Sequence, residues 1–341
     1  QVDGTCRPHA RIQLIYPYSA GGIDRLSGSA CVFTTQTDRL MRTTNIAGCL
    51  LLFAGLCASC IREDLGDCHN TDKLVLSYKG DGSAEIFGSK ICRVEMYVFD
   101  ADNDCVGSGV LSEEEVANRT AVLPPLDPGD YRIVCLANTH HTEVDNLDCR
   151  RFDQMRFAAG DYLAGKVVAG NDSLYYASAS YTAEPYDAGR EDRTQVVGFA
   201  SSHYKVSVEV AGVPASGQRA DGTLVLELCN VSPCTDFENR ACGEATTYRL
   251  ESKYDVGRAL LTARANIMRH KNHEDVALCV RPASGGEPLA EVNFAEFLAM
   301  HEDVIDCTRQ EVLIPIRIEF KSGSVSITVP EWYVDEVKPE F

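Results

Sequence analysis

The sequence predicts an all-β protein, and three observations carry that expectation. Short apolar runs recur along the chain, separated by Gly, Pro, Asp and Asn. Several alternate with period two, the pattern of a strand with one buried face. Only two stretches carry the start signal of a helix, so packed sheets are favoured over a parallel α/β fold.

Leu74-Val75-Leu76 opens the series. Val94, Met96 and Val98 then alternate with Glu95 and Tyr97, and the run ends at Phe99-Asp100 before the turn Ala101-Asp102-Asn103-Asp104. Further strands are expected at Tyr131 to Ala137, Tyr204 to Val210, Thr223 to Leu228, Ala259 to Ala263 and Val276 to Val280. In the second of these, Lys205, Ser207 and Glu209 alternate with Val206, Val208 and Val210, which predicts one wet face. Val312 to Phe320 and Val325 to Val329 flank Lys321-Ser322-Gly323-Ser324 and are expected to form a hairpin. Ser112-Glu113-Glu114-Glu115 and Asn293-Phe294-Ala295-Glu296 each have a capping-box pattern that opens a short helix. The charge-rich stretch Asp187 to Arg193 reads as a loop near a domain seam. We place that seam near Ser201-Ser202, giving expected sandwich domains at 60–200 and 201–341.

Ahead of the strands lies a stretch of another kind. Arg42 precedes an apolar run from Ile46 to Cys57, followed by Ala58, Ser59 and Cys60. That order is the n-region, h-region and small-residue cleavage zone of a secretory signal. Leu56-Cys57-Ala58-Ser59-Cys60 resembles a bacterial lipobox, in which the cysteine thiol is acylated before cleavage; Cys57 stands where Leu is commoner. The run is 12 residues, short of the ~20 that span a bilayer. Residues 41–59 are therefore expected to be a lipoprotein signal peptide, with the mature chain starting at Cys60. A signal works from an N terminus, so residues 1–40 are expected to be an upstream extension, not part of the fold.

Composition excludes some functions. The formal charge is −18. Residues 1–59 hold five Arg and three Asp, so the portion from Cys60 carries about −20. An acidic surface without a Lys/Arg stripe repels phosphate backbones, which excludes nucleic acid as a partner. Ten cysteines follow Cys60: Cys68, Cys92, Cys105, Cys135, Cys149, Cys229, Cys234, Cys242, Cys279 and Cys307. An even number in an exported chain fits disulfides of unknown connectivity. Cys229, Cys234 and Cys242 are close in sequence but lack the paired spacing of a zinc ribbon.

No catalytic constellation is present. His270, His273 and Glu274 read H-x-x-H-E rather than H-E-x-x-H, and are expected in a solvated loop. His140-His141 follows a strand end and reads as a turn. Neither G-x-S-x-G, a P-loop nor G-x-G-x-x-G occurs. The expectation is a protein without enzymatic activity, cofactor or metal. Tyr175, Tyr176 and Tyr181 would form an aromatic platform for sugars if they shared a face; aromatics are also ordinary strand residues, which is the favoured reading. The single Trp is Trp332.

With these residues laid out, the chain resembles the fimbrillin-A-associated anchor lipoproteins of type V pili. The likeness rests on Ser59-Cys60-Ile61-Arg62-Glu63-Asp64-Leu65-Gly66-Asp67-Cys68, on RVEMYVFDADND (Arg93 to Asp104) and on LPPLDPGDYRIVCLAN (Leu123 to Asn138). Asn171 to Tyr176 and the helix-then-strand-pair ending at Trp332 follow in the family's order. Asp172-Ser173-Leu174 also resembles an O-glycosylation sequon, at a length where chance matches are common. The resemblance implies two tandem transthyretin-like Greek-key β-sandwiches. It further implies lipidation at Cys60, a surface-export signal at Glu63 and Asp64, and a place at the base of a fimbria in the outer membrane. The partners would be pilin subunits, one of which supplies a strand to an open sheet edge. Two alternatives remain from the sequence: a glycan-binding lipoprotein of a polysaccharide-uptake system, and a tip or accessory subunit.

Overall fold

The computed structural model describes residues 71–187, 189–212, 224–270, 273–321 and 324–337. In chain order the first strands are β1 (Lys73–Ser77), β2 (Val94–Phe99), β3 (Cys105–Val110), β4 (Thr120–Val122) and β5 (Gly129–Ala137). They are followed by β6 (Thr142–Asp145), β7 (Arg156–Ala159), β8 (Tyr175–Ala183), β9 (Thr194–Gly198) and β10 (Ala200–Ser201). The later part holds β11 (His203–Ala211), β12 (Leu224–Val231), β13 (Cys234–Asp236), β14 (Ala241–Cys242) and β15 (Thr246–Arg249). It continues with β16 (Ser252–Asp255), β17 (Leu260–Met268), β18 (Ala277–Pro282), β19 (Ala290–Asn293), β20 (Leu313–Lys321) and β21 (Ser324–Thr328). Short helices are α1 (Phe87–Lys90), α2 (Glu113–Asn118), α3 (Gly160–Leu163), α4 (Phe294–Met300) and α5 (Glu331–Val337). The fold is all-β with a few short helices, as the sequence predicts.

The N-terminal half is layered. A three-stranded sheet, β4-β1-β9, lies over a five-stranded sheet, β10-β8-β5-β2-β3. Leu74, Leu76, Val94, Met96, Val98, Ile133 and Cys135 meet between them in one apolar cluster. The other face of the larger sheet is also covered. Tyr97, Phe99, Val134 and Leu136 pack against Phe152, Phe157 and Phe237, whose rings meet edge to face at centroid separations of 5.1–6.2 Å. β2 is therefore buried on both sides, and Tyr97 lies inside rather than opposite the core.

The C-terminal half packs β16-β17-β11-β20-β21 against β15-β12-β18-β19 around a second large cluster that includes Val206, Val208, Val210, Leu226, Ile314 and Ile316. β11 is the middle strand, antiparallel to β17 and parallel to β20. The expected wet face of β11 is corrected here: Ser207 is 6 % and Glu209 5 % exposed. α5 covers that face, and the Glu209 carboxylate accepts from Trp332 Nε1, Arg258 and Arg317 at 3.2, 2.9 and 3.1 Å. A buried charge needs such partners. β20 and β21 form the expected hairpin, with Lys321 opposite Ser324.

Both helix-start signals work, in different ways. Ser112 accepts from the Glu115 amide while Glu115 reaches back to the Ser112 amide, a complete capping box. Asn293 accepts from the Glu296 amide at 3.0 Å, and its own amide group donates to the Glu274 carbonyl.

The two halves are joined by a fifth sheet, β14-β13-β7-β6. Cys234 to Asp236 pair with Arg156 to Ala158, so a hairpin from the later half completes a sheet begun in the earlier one. The segment after β7 crosses the other way: Ala159 and Val168 belong to the C-terminal core. All the described residues fall in one compact unit.

Candidate assembly edges and the seam between halves

A sheet edge can accept a strand from another chain only if nothing blocks it. Natural edges are guarded by charge, proline, short length or cover. β16 (SKYD), β15 (TTYR), β19 (AEVN) and β6 (TEVD) each carry charge, while β4, β10 and β14 have two or three residues. Three longer edges, β3, β9 and β21, have neither charge nor proline. β3 reads CVGSGV and among the described residues pairs with β2 alone; β21 reads SVSIT and pairs with β20 alone. Each exposes an apolar residue, Val106 at 42 % and Val325 at 42 %. The start of β3 is covered, because the Cys105 amide donates to the Arg150 carbonyl and the Arg150 guanidinium donates to the Cys105 carbonyl. On the opposite side of that sandwich β9 is also uncharged, but its neighbours stitch it to β8. Gln195 donates to the Ser180 carbonyl at 3.1 Å and Arg193 to the Thr182 carbonyl at 2.8 Å.

Behind these edges the two halves meet at Glu311. Its carboxylate accepts from Tyr78 and Tyr175 hydroxyls at 2.6 and 2.9 Å, and from Lys90 and Lys205 at 3.0 and 2.7 Å. Three of those partners precede residue 201, and Lys205 lies on β11. Burial alone would raise the Glu311 pKa; the hydrogen bonds from Lys205, Tyr78 and Lys90 overcome it and hold the carboxyl well below the usual range. Asp81 extends the seam by accepting from the Gln310 amide at 2.8 Å. Sequence reading missed this hub, since all four partners lie more than a hundred residues from Glu311 and each looks ordinary locally. The expected loop Asp187 to Arg193 does pin a strand: Arg190 and Arg193 both bind buried Asp72, at 2.7 and 3.1 Å, just before β1.

Cys60, Glu63, Asp64 and Cys68 lie outside the described residues, as does the signal segment. Among the described residues are nine cysteines, none of them joined to another by a disulfide. Cys135 is fully enclosed, and burial pushes its pKa to about 12. Cys229 and Cys279 place their sulfurs 3.6 Å apart, and Cys234 stands directly opposite Cys242.

His270 and His273 are not in a solvated loop, which corrects the sequence expectation. His270 is 9 % exposed, and both rings line an open cleft of roughly 1030 Å³ with Tyr204, Arg240, Glu302 and Cys307. Burial, reinforced by His273, lowers the His270 pKa to about 4. The three tyrosines do not gather into a platform. Tyr175 is 2 % exposed in the first core, Tyr176 faces the opposite side and donates to the Phe237 carbonyl, and Tyr181 donates to Asp72. Ser173 of the sequon-like triplet accepts from the Asn266 side chain at 3.0 Å, which ties it to β17. Among the described residues no group of three or more metal-ligating side chains is gathered, and no helix is long and apolar enough to cross a membrane.

Comparison with solved structures finds the same fold in bacterial surface proteins. A candidate adhesin from Bacteroides ovatus superposes with a TM-score of 0.62 at 15% identity, over 77% of this chain and 95% of that one. The fimbrial anchor protein Mfa2 from Porphyromonas gingivalis gives 0.60 at 14% identity, over 76% and 98%. A candidate polysaccharide-binding protein from Bacteroides thetaiotaomicron gives 0.58 at 13%, over 77% and 99%. At these identities the likeness is one of fold. No curated protein sequence matches the chain. A family model does, from residue 65 to residue 338, across both halves and the seam. The chain belongs to the family of fimbrillin-A associated anchor proteins Mfa1 and Mfa2.

Proposed function

We propose that this protein is the base subunit of a fimbria, held in the outer membrane by lipid and facing outward from the cell. The family match over residues 65–338 is the observation that carries this reading. The lipid would sit on Cys60. Each buried acyl CH₂ contributes about 0.8 kcal/mol, so several chains together make attachment durable where one chain is marginal. Glu63 and Asp64, just after that cysteine, would serve as the surface-export signal. Residues 41–59 would be removed as signal peptide, and residues 1–40 would be an upstream extension absent from the mature protein.

An anchor whose N terminus carries lipid donates no strand from that end and must receive one. The uncharged edges of β3 and β21 are the two that support this role, because an incoming strand gains main-chain hydrogen bonds there without burying an unpaired charge. The halves 60–200 and 201–341 would act as two transthyretin-like Greek-key sandwiches coupled through Glu311 and the shared β7–β13 sheet. The glycan-binding reading loses its strongest support with the dispersal of Tyr175, Tyr176 and Tyr181. A tip or accessory subunit would share the fold and the lipidated start, and is separated from the anchor by its position in the fibre.

Intact mass of the protein extracted from cell membranes, combined with protease shaving of whole cells, tests the reading. A mass starting at Cys60 plus acyl groups, lost on shaving, is expected. An unlipidated chain that retains residues 41–59 would overturn it.

A further inference from the structure

Two thiol pairs lie across strands in the C-terminal half, and their geometry differs in kind. Cys234 on β13 and Cys242 on β14 are register partners. Residues directly opposed on antiparallel strands lie roughly 4.5–5.5 Å apart at Cα, inside the roughly 4.4–6.8 Å range that a disulfide spans. Cys229 and Cys279 are offset instead: Cys229 faces Ala277, and Cys279 faces Glu227. Diagonal neighbours of that sort lie about 7–8 Å apart at Cα, at or beyond the upper limit. Their 3.6 Å sulfur contact is a thiol hydrogen bond.

The surroundings of the first pair are built around the sulfur. Gly243 follows Cys242 at φ +87°, and a Cβ there would lie 2.9 Å from Cys234 Sγ. Only glycine supplies both the left-handed turn and the room. A hydrogen bond from the Cys242 thiol and, after it, Arg156 on the neighbouring strand β7 favour negative charge on Cys234. Cys234 is 1 % exposed, whereas Cys242 is partly open to solvent.

We propose that Cys234 and Cys242 form a cross-strand disulfide that staples the β13–β14 hairpin into the seam between the halves, while Cys229 and Cys279 stay reduced. The oxidant is an external disulfide, RSSR, from a thiol oxidase or a small molecule. The Cys242 thiolate attacks one sulfur of RSSR and displaces RS⁻, which leaves as RSH with the proton from Cys242. The Cys234 thiolate then attacks the Cys242 sulfur of the mixed disulfide and displaces the second RS⁻, which takes up the Cys234 proton. Two thiols have lost two electrons, and RSSR has become two RSH. The hairpin so closed carries Phe237, whose ring is enclosed by Tyr97, Phe99, Phe152 and Phe157 from the N-terminal half. The staple therefore fixes the element through which one half grips the other. The geometry follows from the register of two strands, and the bond forms where such an oxidant is present.

The test is oxidation of the full chain with oxidised glutathione, alkylation of the remaining thiols, and tryptic mapping without reductant. Cleavage after Arg240 separates the two cysteines, so the bond appears as peptide 220–240 joined to 241–249. That linked pair is expected in the wild type and in Cys229→Ser, and absent from Cys234→Ser. Reduction is expected to lower Tm by about 2–8 °C in the wild type and to leave Cys242→Ser unmoved. The proposal is overturned if Cys234 and Cys242 are both recovered alkylated after oxidation, or if 220–240 is joined through Cys279 to 272–309, the peptide left whole because trypsin spares Arg281–Pro282.

Discussion

Glu311 concentrates the electrostatics of the seam in one carboxylate. It is held by two lysines and two tyrosines drawn from both halves, the tyrosines on one oxygen and the lysines on the other, so an amide in its place leaves two of the four donors short of an acceptor and the lysines without a counter-charge. Glu311→Gln is expected to cost about 2–3 kcal/mol of stability, less than a fully enclosed pair would because the side chain keeps some contact with water. A urea midpoint reads this directly, and an unchanged midpoint would show that the hub is not structural. Glu311 and other buried groups set a pH dependence. Burial lowers the pKa of His203 and of His270 from 6.5 to about 4, so the unfolded chain takes up protons that the folded one refuses. Their contribution is complete above pH 6.5 and is lost as pH falls towards 4. Glu311 and Asp72 are depressed below their ordinary values of 4.5 and 3.8, and their contribution is lost in more acid solution still. Stability is therefore expected to fall in two stages below pH 6.5. A midpoint constant from pH 7.5 to pH 4 would contradict the burial of the two histidines. None of this was legible residue by residue, because Glu311 is one of 50 acidic residues and its partners are distant in sequence.

At the scale of elements, β3 and β21 are the edges that lack a guard. A lysine placed on an exposed position of either, Ser108→Lys or Val325→Lys, should change stability by no more than about 0.5 kcal/mol. At the accepting edge it should weaken capture of a pilin strand at least about tenfold, through the cost of burying a charge along the new strand pair. Unchanged capture in both variants would remove strand acceptance at these edges. The sequence made most strands visible and both capped helices, since period-two alternation and Ser/Asn caps are local signals. It misread β2 and β11. Tyr97 and Glu209 occupy alternate positions that look wet, yet the β7–β13 sheet covers the first and α5 the second. A third layer leaves no trace in the periodicity of the strand it covers. Short strands such as β7, β13 and β14 were missed for a related reason: they are held by pairing with distant segments rather than by their own pattern.

The described residues form two packed β layers per half, joined by a shared sheet and a charged hub. The acidic surface and the lipobox-like motif were legible because composition and signal patterns need no tertiary context. Which edges lie unguarded was not, because edges are defined only once all strands are paired. If, as we propose, this chain ties a fimbria to the membrane through Cys60, then Cys60→Ala removes the tie. The variant should fold as the wild type does, and cell fractionation should find both it and the fibres it carries in the medium. Fibres that stay attached to cells at the wild-type level, with the variant still in the membrane fraction, would contradict the account.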